Sequence, residues 1–214
     1  MNPKTTNRVE FQSMRFKWPD YIYSPREDSF LLAQAARKHA FGTVLDMGCG
    51  TGIIGLNAAL NPKVKEIVFA DRNPLALETA GQNAVANKLG KPTRFVRTNL
   101  FATLKNVKFD CICFNPPYLP AEADDHSPLS LRMAWEGGKT GRKVLDAFLR
   151  DFKKHLKQNG ILLLLNSSLS CSRGEGNGNE ETLTKLKKLG LTAKTIAKQD
   201  FFFEHVVVIR AKKK

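Results

Sequence analysis

"TVLDMGCGTG", residues 43–52, decides the fold. Five residues suited to a buried strand run into glycines at alternate positions, Gly48, Gly50 and Gly52, and "IIGLNAAL" then starts a helix. Glycines here let the backbone turn tightly and approach a ligand closely. A dinucleotide loop is spaced G-x-G-x-x-G. In this chain Ile53 stands three residues after Gly50, and an acid, Asp46, lies two residues before Gly48. A pyrophosphate would call for a helix N-terminus aimed at it. A ligand with an ammonium and no phosphate would instead use a carboxylate, which Asp46 supplies at the strand end.

Strand and helix alternate onward from this loop. "EIVFAD" (66–71) is a second strand, ending in Asp71, 19 residues after Gly52. An acid at that place can accept both hydroxyls of a ribose. A helix runs from Pro74 to about Lys88, followed by the strand "TRFVRT" (93–98). That strand leads into Asn99 and Leu100, an acceptor for an adenine amino group and an apolar surface for its ring. "FDCICF" (109–114) is a fourth strand, in which Cys111 and Cys113 read as small buried hydrophobes. A helix around 140–158, a strand at 160–166, a Gly/Asn-rich loop at 173–179 and the helix "EETLTKLKKLG" come next. "TAKTIAK" and "FFFEHVVVIRA" are two closely joined strands able to pair antiparallel. The pattern predicts the α/β class: a mostly parallel sheet with helices on both faces.

Ahead of this core, residues 1–20 read as an irregular arm. "SPREDSFLLAQAARKHA" reads as a helix with Ser24 as N-cap, Pro25 in the first turn and Glu27 closing an S-x-x-E box. One domain over 1–214 accounts for the length.

The fourth strand ends abruptly in "FNPPYLP". Pro116 pushes Asn115 toward extended geometry, and Pro117 does the same to Pro116. The loop therefore presents fixed acceptors, the Asn115 side-chain oxygen and the Pro116 carbonyl, beside the flat wall of Tyr118. Two acceptors next to an aromatic face suit a planar –NH₂ group, and they stabilise the positive charge that grows as its nitrogen attacks an electrophile. In the loop that follows, Asp124, Asp125 and His126 are read as solvated rather than as metal ligands. Residues 122–138 read as a lid, with Gly137 and Gly138 as its hinge.

The formal net charge is +14, of which +9 lies in residues 142–214. A surface so basic suits contact with nucleic acid through the C-terminal half. No apolar run reaches the roughly 18 residues of a membrane helix. The N-terminus has no apolar signal core, so a cytoplasmic location is expected.

Four segments in order, "YSPREDSFLL", "DMGCGTG", "FNPPYLP" and "AWEGGKTGRKVLDAF", resemble the archaeal and eukaryotic branch of the release factor glutamine methyltransferases. These are HemK-like enzymes that use S-adenosyl-L-methionine. The resemblance implies a Rossmann-like methyltransferase fold with a seven-stranded sheet whose last strand is antiparallel. It implies that Ser29, Asp46, Gly48 and Gly50 hold the methionine end of S-adenosyl-L-methionine, Asp71 the ribose, and Asn99 with Leu100 the adenine. Asn115, Pro116, Pro117 and Tyr118 would bind the substrate amide, with Asn115, Pro116 and Tyr118 catalytic and Asn115 also binding the cofactor, and residues 119–138 would be a substrate-side loop. The family usually has Asp where this chain has Asn99. It also implies a small zinc-binding activator protein at the sheet edge near 93–98. Three alternatives stand beside the release-factor reading: a nucleic-acid amino-methyltransferase, a protein lysine methyltransferase, and a catalytically silent binding module.

Overall fold

Strands β1 (Thr6–Phe11) and β2 (Met14–Pro19) form an antiparallel hairpin. This corrects the expectation of an irregular arm. The structure, a computed structural model, describes residues 6–121, 126, 128–172 and 176–213. The hairpin reverses through Gln12 and Ser13, both at positive φ, as a two-residue hairpin turn requires. Along β2, Met14, Phe16 and Trp18 are buried while Arg15 and Lys17 point outward.

Helix α1 (Glu27–His39) begins three residues after Ser24. Its N-cap residue is Arg26, which makes no side-chain cap, so the predicted capping box is absent. The first turn uses Asp28 instead, whose carboxylate accepts from Ser29 N at 2.6 Å. The elements that follow are β3 (Gly42–Met47), α2 (Ile53–Ala59), β4 (Val64–Asp71) and α3 (Pro74–Ala86). Asn73 caps α3 by accepting from Leu75 N, and Pro74 fits the first turn. Asn83 on α3 and Asn87 at its C-cap pair with the backbone of Lys17 and Arg15, so this end of the helix serves β2 as a partner strand would.

Strands β5 (Thr93–Arg97) and β6 (Phe109–Phe114) precede the short α4 (Leu129–Arg132). Helix α5 (Lys143–Asp151) continues through a 3₁₀ turn into β7 (Leu156–Ser167). Helix α6 (Gly178–Lys188), β8 (Leu191–Asp200) and β9 (His205–Lys213) complete the chain. The main sheet has seven strands in the order β5-β4-β3-β6-β7-β9-β8. Strands β3 to β7 are parallel, and β9 is antiparallel to both of its neighbours.

Residues alternate between two cores, one on each face of the sheet. Val44, Phe69, Cys111, Cys113 and Leu163 pack with residues of α1, α2 and α3. Leu45, Val68, Ile112, Phe114 and Leu164 pack with Leu145, Phe148 and Leu186 from α5 and α6. Strands buried on both faces explain the near-continuous apolar runs in the sequence. Reversal of strand order beside β3 opens a crevice at the carboxyl ends of the strands, where ligands bind in such sheets.

Candidate active site

That crevice is a cavity of about 670 Å³. Its wall includes Ser29, Gly48, Gly50, Asp71, Asn99, Leu100, Asn115, Pro116, Pro117 and Tyr118, so ten of the predicted site residues come together. Asp46 is the exception. It is wholly buried behind the glycine loop and does not line the cavity. One oxygen accepts from Gly55 N at 2.8 Å, and the other, Oδ1, is buried without a partner.

Gly48, Gly50 and Gly52 all lie at positive φ, which explains the residue type at each. Gly50 N donates to Asp71 Oδ2 at 3.1 Å, tying the loop to the end of β4, and Asn73 N donates to Asp71 Oδ1 at 2.8 Å. Burial holds the Asp71 carboxyl above the ordinary carboxylate range, against the pull of these N–H groups. Asp46 is pushed well above that range by burial, the Gly55 bond opposing and Asp71 reinforcing. Across the cavity, Thr98 is buried, its hydroxyl donates to Leu100 O, and Leu100 sits at positive φ. Asn99 is exposed at the rim.

At the end of β6, Asn115 Nδ2 donates to Asp28 Oδ2 at 3.0 Å and lies 3.5 Å from Ser29 Oγ. Asn115 Oδ1 is buried and has no partner. Pro116 is buried beside it. Tyr118 is more than the expected flat wall: its hydroxyl donates to Asp28 Oδ2 at 3.2 Å. Burial, then the Asp28 charge, raise the Tyr118 phenol far above the usual range, so it stays a donor. Tyr23 lines the same cavity and is raised by the same two causes in the same order.

Asp28, Tyr23, Trp135 and Glu204 escaped the sequence reading. Asp28 lies inside "YSPREDSFLL" beside Ser29, but only its bond to a residue 87 positions away exposes its role. Tyr23 and Trp135 face each other with ring centroids 6.3 Å apart. Glu204, between β8 and β9, stands close enough to Tyr23 and Tyr118 to raise both phenols. Its own carboxyl is raised by burial, opposed by Ser167.

The loop after Tyr118 is clasped at its base. Leu119 N donates to Trp135 O, Gly137 N to Leu119 O, and Ala121 N to Gly138 O. Gly137 and Gly138 both take part in this clasp. A Cβ on Gly137 would meet the Gly141 backbone at 2.5 Å, so close packing accounts for that glycine. Residues 122–125 and 127, with Asp124 and Asp125 among them, lie outside the described residues.

Comparison with known proteins is consistent with this geometry. A family model described as the methyltransferase small domain matches residues 26–133. The chain is 36% identical over 203 residues to a Methanocaldococcus jannaschii protein named "putative protein N5-glutamine methyltransferase", covering 95% of this chain and 98% of that protein. It is 29% identical to the release factor glutamine methyltransferase of Borreliella burgdorferi over 73% of this chain, and spans 57% of that enzyme's length. Among solved structures, the E. cuniculi Mtq2–Trm112 complex, described as methylating the translation termination factor eRF1, matches with TM-score 0.66 and 26% identity. That match covers 91% of this chain and 99% of the other.

Proposed function

We propose that this chain, which belongs to the N5-glutamine methyltransferase family, methylates the side-chain amide of the glutamine in the Gly-Gly-Gln motif of a peptide chain release factor. One observation carries the reading: Asn115 Oδ1 is a buried acceptor with no partner among the described residues. Leaving a buried acceptor unpaired is costly, and a substrate –NH₂ group would satisfy it. The Pro116 carbonyl is the second acceptor in this reading, and Tyr118 the surface on which the amide lies.

S-adenosyl-L-methionine is the methyl donor that the other residues fit, and its sulfonium methyl carbon is the electrophile. Asp71, fixed by two backbone N–H groups, would accept the ribose hydroxyls. Asn99 and Leu100 would hold the adenine, with Asn99 keeping an acceptor oxygen where the family has Asp. Ser29 and the Gly48–Gly50 turn would face the methionine end, and Asp46 would act from behind that turn. When bound, S-adenosyl-L-methionine would supply the methyl carbon to the amide nitrogen's lone pair and keep the carbon–sulfur pair on sulfur, and the amide nitrogen would lose one proton to water. The enzyme's share is to hold the amide in line and to stabilise the charge that develops on it.

The edge strand β5 leaves one side open for strand addition. Its Phe95 is 41% exposed and stacks on Phe69 at 5.2 Å. This supports a small zinc-binding activator of the Trm112 kind docking there. Lysines 38, 63, 65 and 157 line a second cavity, and with the basic C-terminal half they support nucleic-acid contact away from the site. No helix among the described residues is long and apolar enough to cross a membrane, and a substrate in translation carries a cytoplasmic location with it.

The test is mass spectrometry of a release factor incubated with S-adenosyl-L-methionine, activator and either wild type or Asn115→Ala. Methylated glutamine with wild type alone is expected. Methyl transfer to bare RNA or DNA and none to protein would sink the reading.

A further inference from the structure

A primary amide has two ends of nearly equal shape, and only one of them suits this site. If Asn115 turned its –NH₂ toward the substrate, two donors would meet and the –NH₂ to be methylated would have no acceptor. Something must fix which end faces outward.

The geometry points to Asp28 as the positioning residue that orients the Asn115 amide; this inference rests on the transferase reading of the site. Asp28 is only 5% exposed, and both carboxylate oxygens are engaged. Oδ1 accepts from Ser29 N at 2.6 Å and from Ser29 Oγ at 3.2 Å, locking the group to the first turn of α1. Oδ2 accepts from Asn115 Nδ2 at 3.0 Å and from Tyr118 OH at 3.2 Å. A carboxylate is an acceptor only, so it selects the –NH₂ end of Asn115 and directs Oδ1 away, where it is found buried and unpaired. Turning the amide over would replace a charge-assisted hydrogen bond with two facing acceptors. The inverted form is therefore at least roughly tenfold less populated. Asp28 thereby prepares an acceptor before the substrate arrives, which is what electrostatic preorganisation requires.

The same bonding pattern sets the test. An Asn side chain at position 28 keeps one acceptor oxygen. Ser29 N claims it, being the nearest of the donors around the residue at 2.6 Å. The new –NH₂ then faces Asn115, which must invert and offer its own –NH₂ to the substrate. Asp28→Asn is expected to lower kcat on a Gly-Gly-Gln substrate about 100-fold, the loss typical of one oriented transition-state group. Affinity for S-adenosyl-L-methionine by calorimetry is expected to stay within about threefold, since Ser29 keeps its bond.

The exchanged pair, Asp28→Asn with Asn115→Asp, restores an acceptor facing the substrate. The other oxygen of the new carboxylate accepts from the –NH₂ now standing at position 28. The pair is expected to exceed either single variant at least about tenfold in kcat, a recovery that a merely structural role for Asp28 would not give. A kcat for Asp28→Asn within about threefold of wild type would overturn the proposal, as would an exchanged pair no better than its singles. If wild type itself transfers no methyl group, the transferase reading fails. Asn115 orientation is then read by NMR: its side-chain –NH₂ protons should show contacts to Ser29 in wild type and lose them in Asp28→Asn. Contacts unchanged in the variant would overturn the proposal on their own.

Discussion

Asp46 and Gly55 are joined by a 2.8 Å hydrogen bond that uses one carboxylate oxygen and leaves the other buried and unpaired. A buried carboxylate with a single N–H partner destabilises the ligand-free protein. Its pKa is raised in the fold by burial, so between the unfolded value and the folded one the native state binds more protons than the unfolded chain. Stability therefore falls as pH rises through that window, and above it the cost is fully present. Asp46→Asn retains an acceptor for Gly55 N and removes the charge. At about pH 7.5 the variant is expected to melt about 4 °C above wild type without ligand. The advantage should vanish below the unfolded carboxylate value, and affinity for S-adenosyl-L-methionine should fall. Melting curves across pH decide it: an advantage that is absent near neutral pH, or independent of pH, would refute this account.

Asn115→Ala removes the acceptor and the bond to Asp28 together. A loss of roughly 100- to 1,000-fold in kcat, on the order seen for oriented charge-stabilising groups, is expected on a Gly-Gly-Gln peptide. Tyr118→Phe removes only one of two donors to Asp28 Oδ2 and keeps the aromatic surface. One hydrogen bond lost at that distance predicts roughly a three- to tenfold reduction. Steady-state assays of the two variants should therefore separate. Equal losses would mean that the phenol acts on the substrate directly.

What was legible in the sequence follows from where the physics is local. Glycines at positive φ and prolines in series restrict their own backbone, so the cavity wall could be read from the two motifs that carry them. The inner parallel strands β3, β4, β6 and β7 read as apolar runs because both of their faces are buried. The hairpin of β1 and β2 was missed although Met14, Phe16 and Trp18 alternate, because its turn is Gln12-Ser13 and carries no Gly or Asn signal. Ser24 looked like a cap, yet the chain enters α1 at Arg26, and Asp28 takes over the first turn. Asp28 itself could not be assigned a role from its neighbours, since its partners Asn115 and Tyr118 come from the far end of β6. Asp46 was read as facing the ligand, and only the packing of α2 on β3 puts it behind the loop.

Arg142 gives an expectation about stability alone. Its side chain is 1% exposed and bonds to Ser170 O, Thr182 Oγ1 and the carboxylates of Asp146 and Glu181. It joins α5, α6 and the loop after β7. Burial works to raise the Asp146 carboxyl, but Lys185 and Arg142 outweigh it and hold it below the ordinary value. A depressed folded value means stability that is present above the unfolded pKa and lost as pH falls through the folded one. Arg142→Ala leaves Asp146 with Lys185 and Glu181 with the Ser172 N–H, but it strips the buried Ser170 carbonyl and Thr182 hydroxyl of their donor and is expected to cost about 2–3 kcal/mol at neutral pH. The penalty should shrink at acid pH, below the ordinary carboxylate range, as both lowered carboxyls protonate. Denaturant titrations at the two pH values measure it, and a cost below about 1 kcal/mol at neutral pH would show that water replaces the guanidinium.

Phe95 tests the open sheet edge. On β5 its ring stacks on Phe69 yet stays 41% exposed, an arrangement that leaves apolar surface in water unless something covers it. An aromatic anchor at the centre of a docking surface typically carries about 2 kcal/mol or more, which corresponds to roughly 30-fold in affinity. Phe95→Glu is expected to weaken binding of a Trm112-like activator by at least that factor. The fold should survive, because the ring is half out of the core already, and circular dichroism of the variant should match wild type. Activity should then recover as the activator concentration is raised. Unchanged activator affinity would move the docking surface away from β5, and a variant that binds normally but stays inactive would assign Phe95 to the packing behind Asp71 instead.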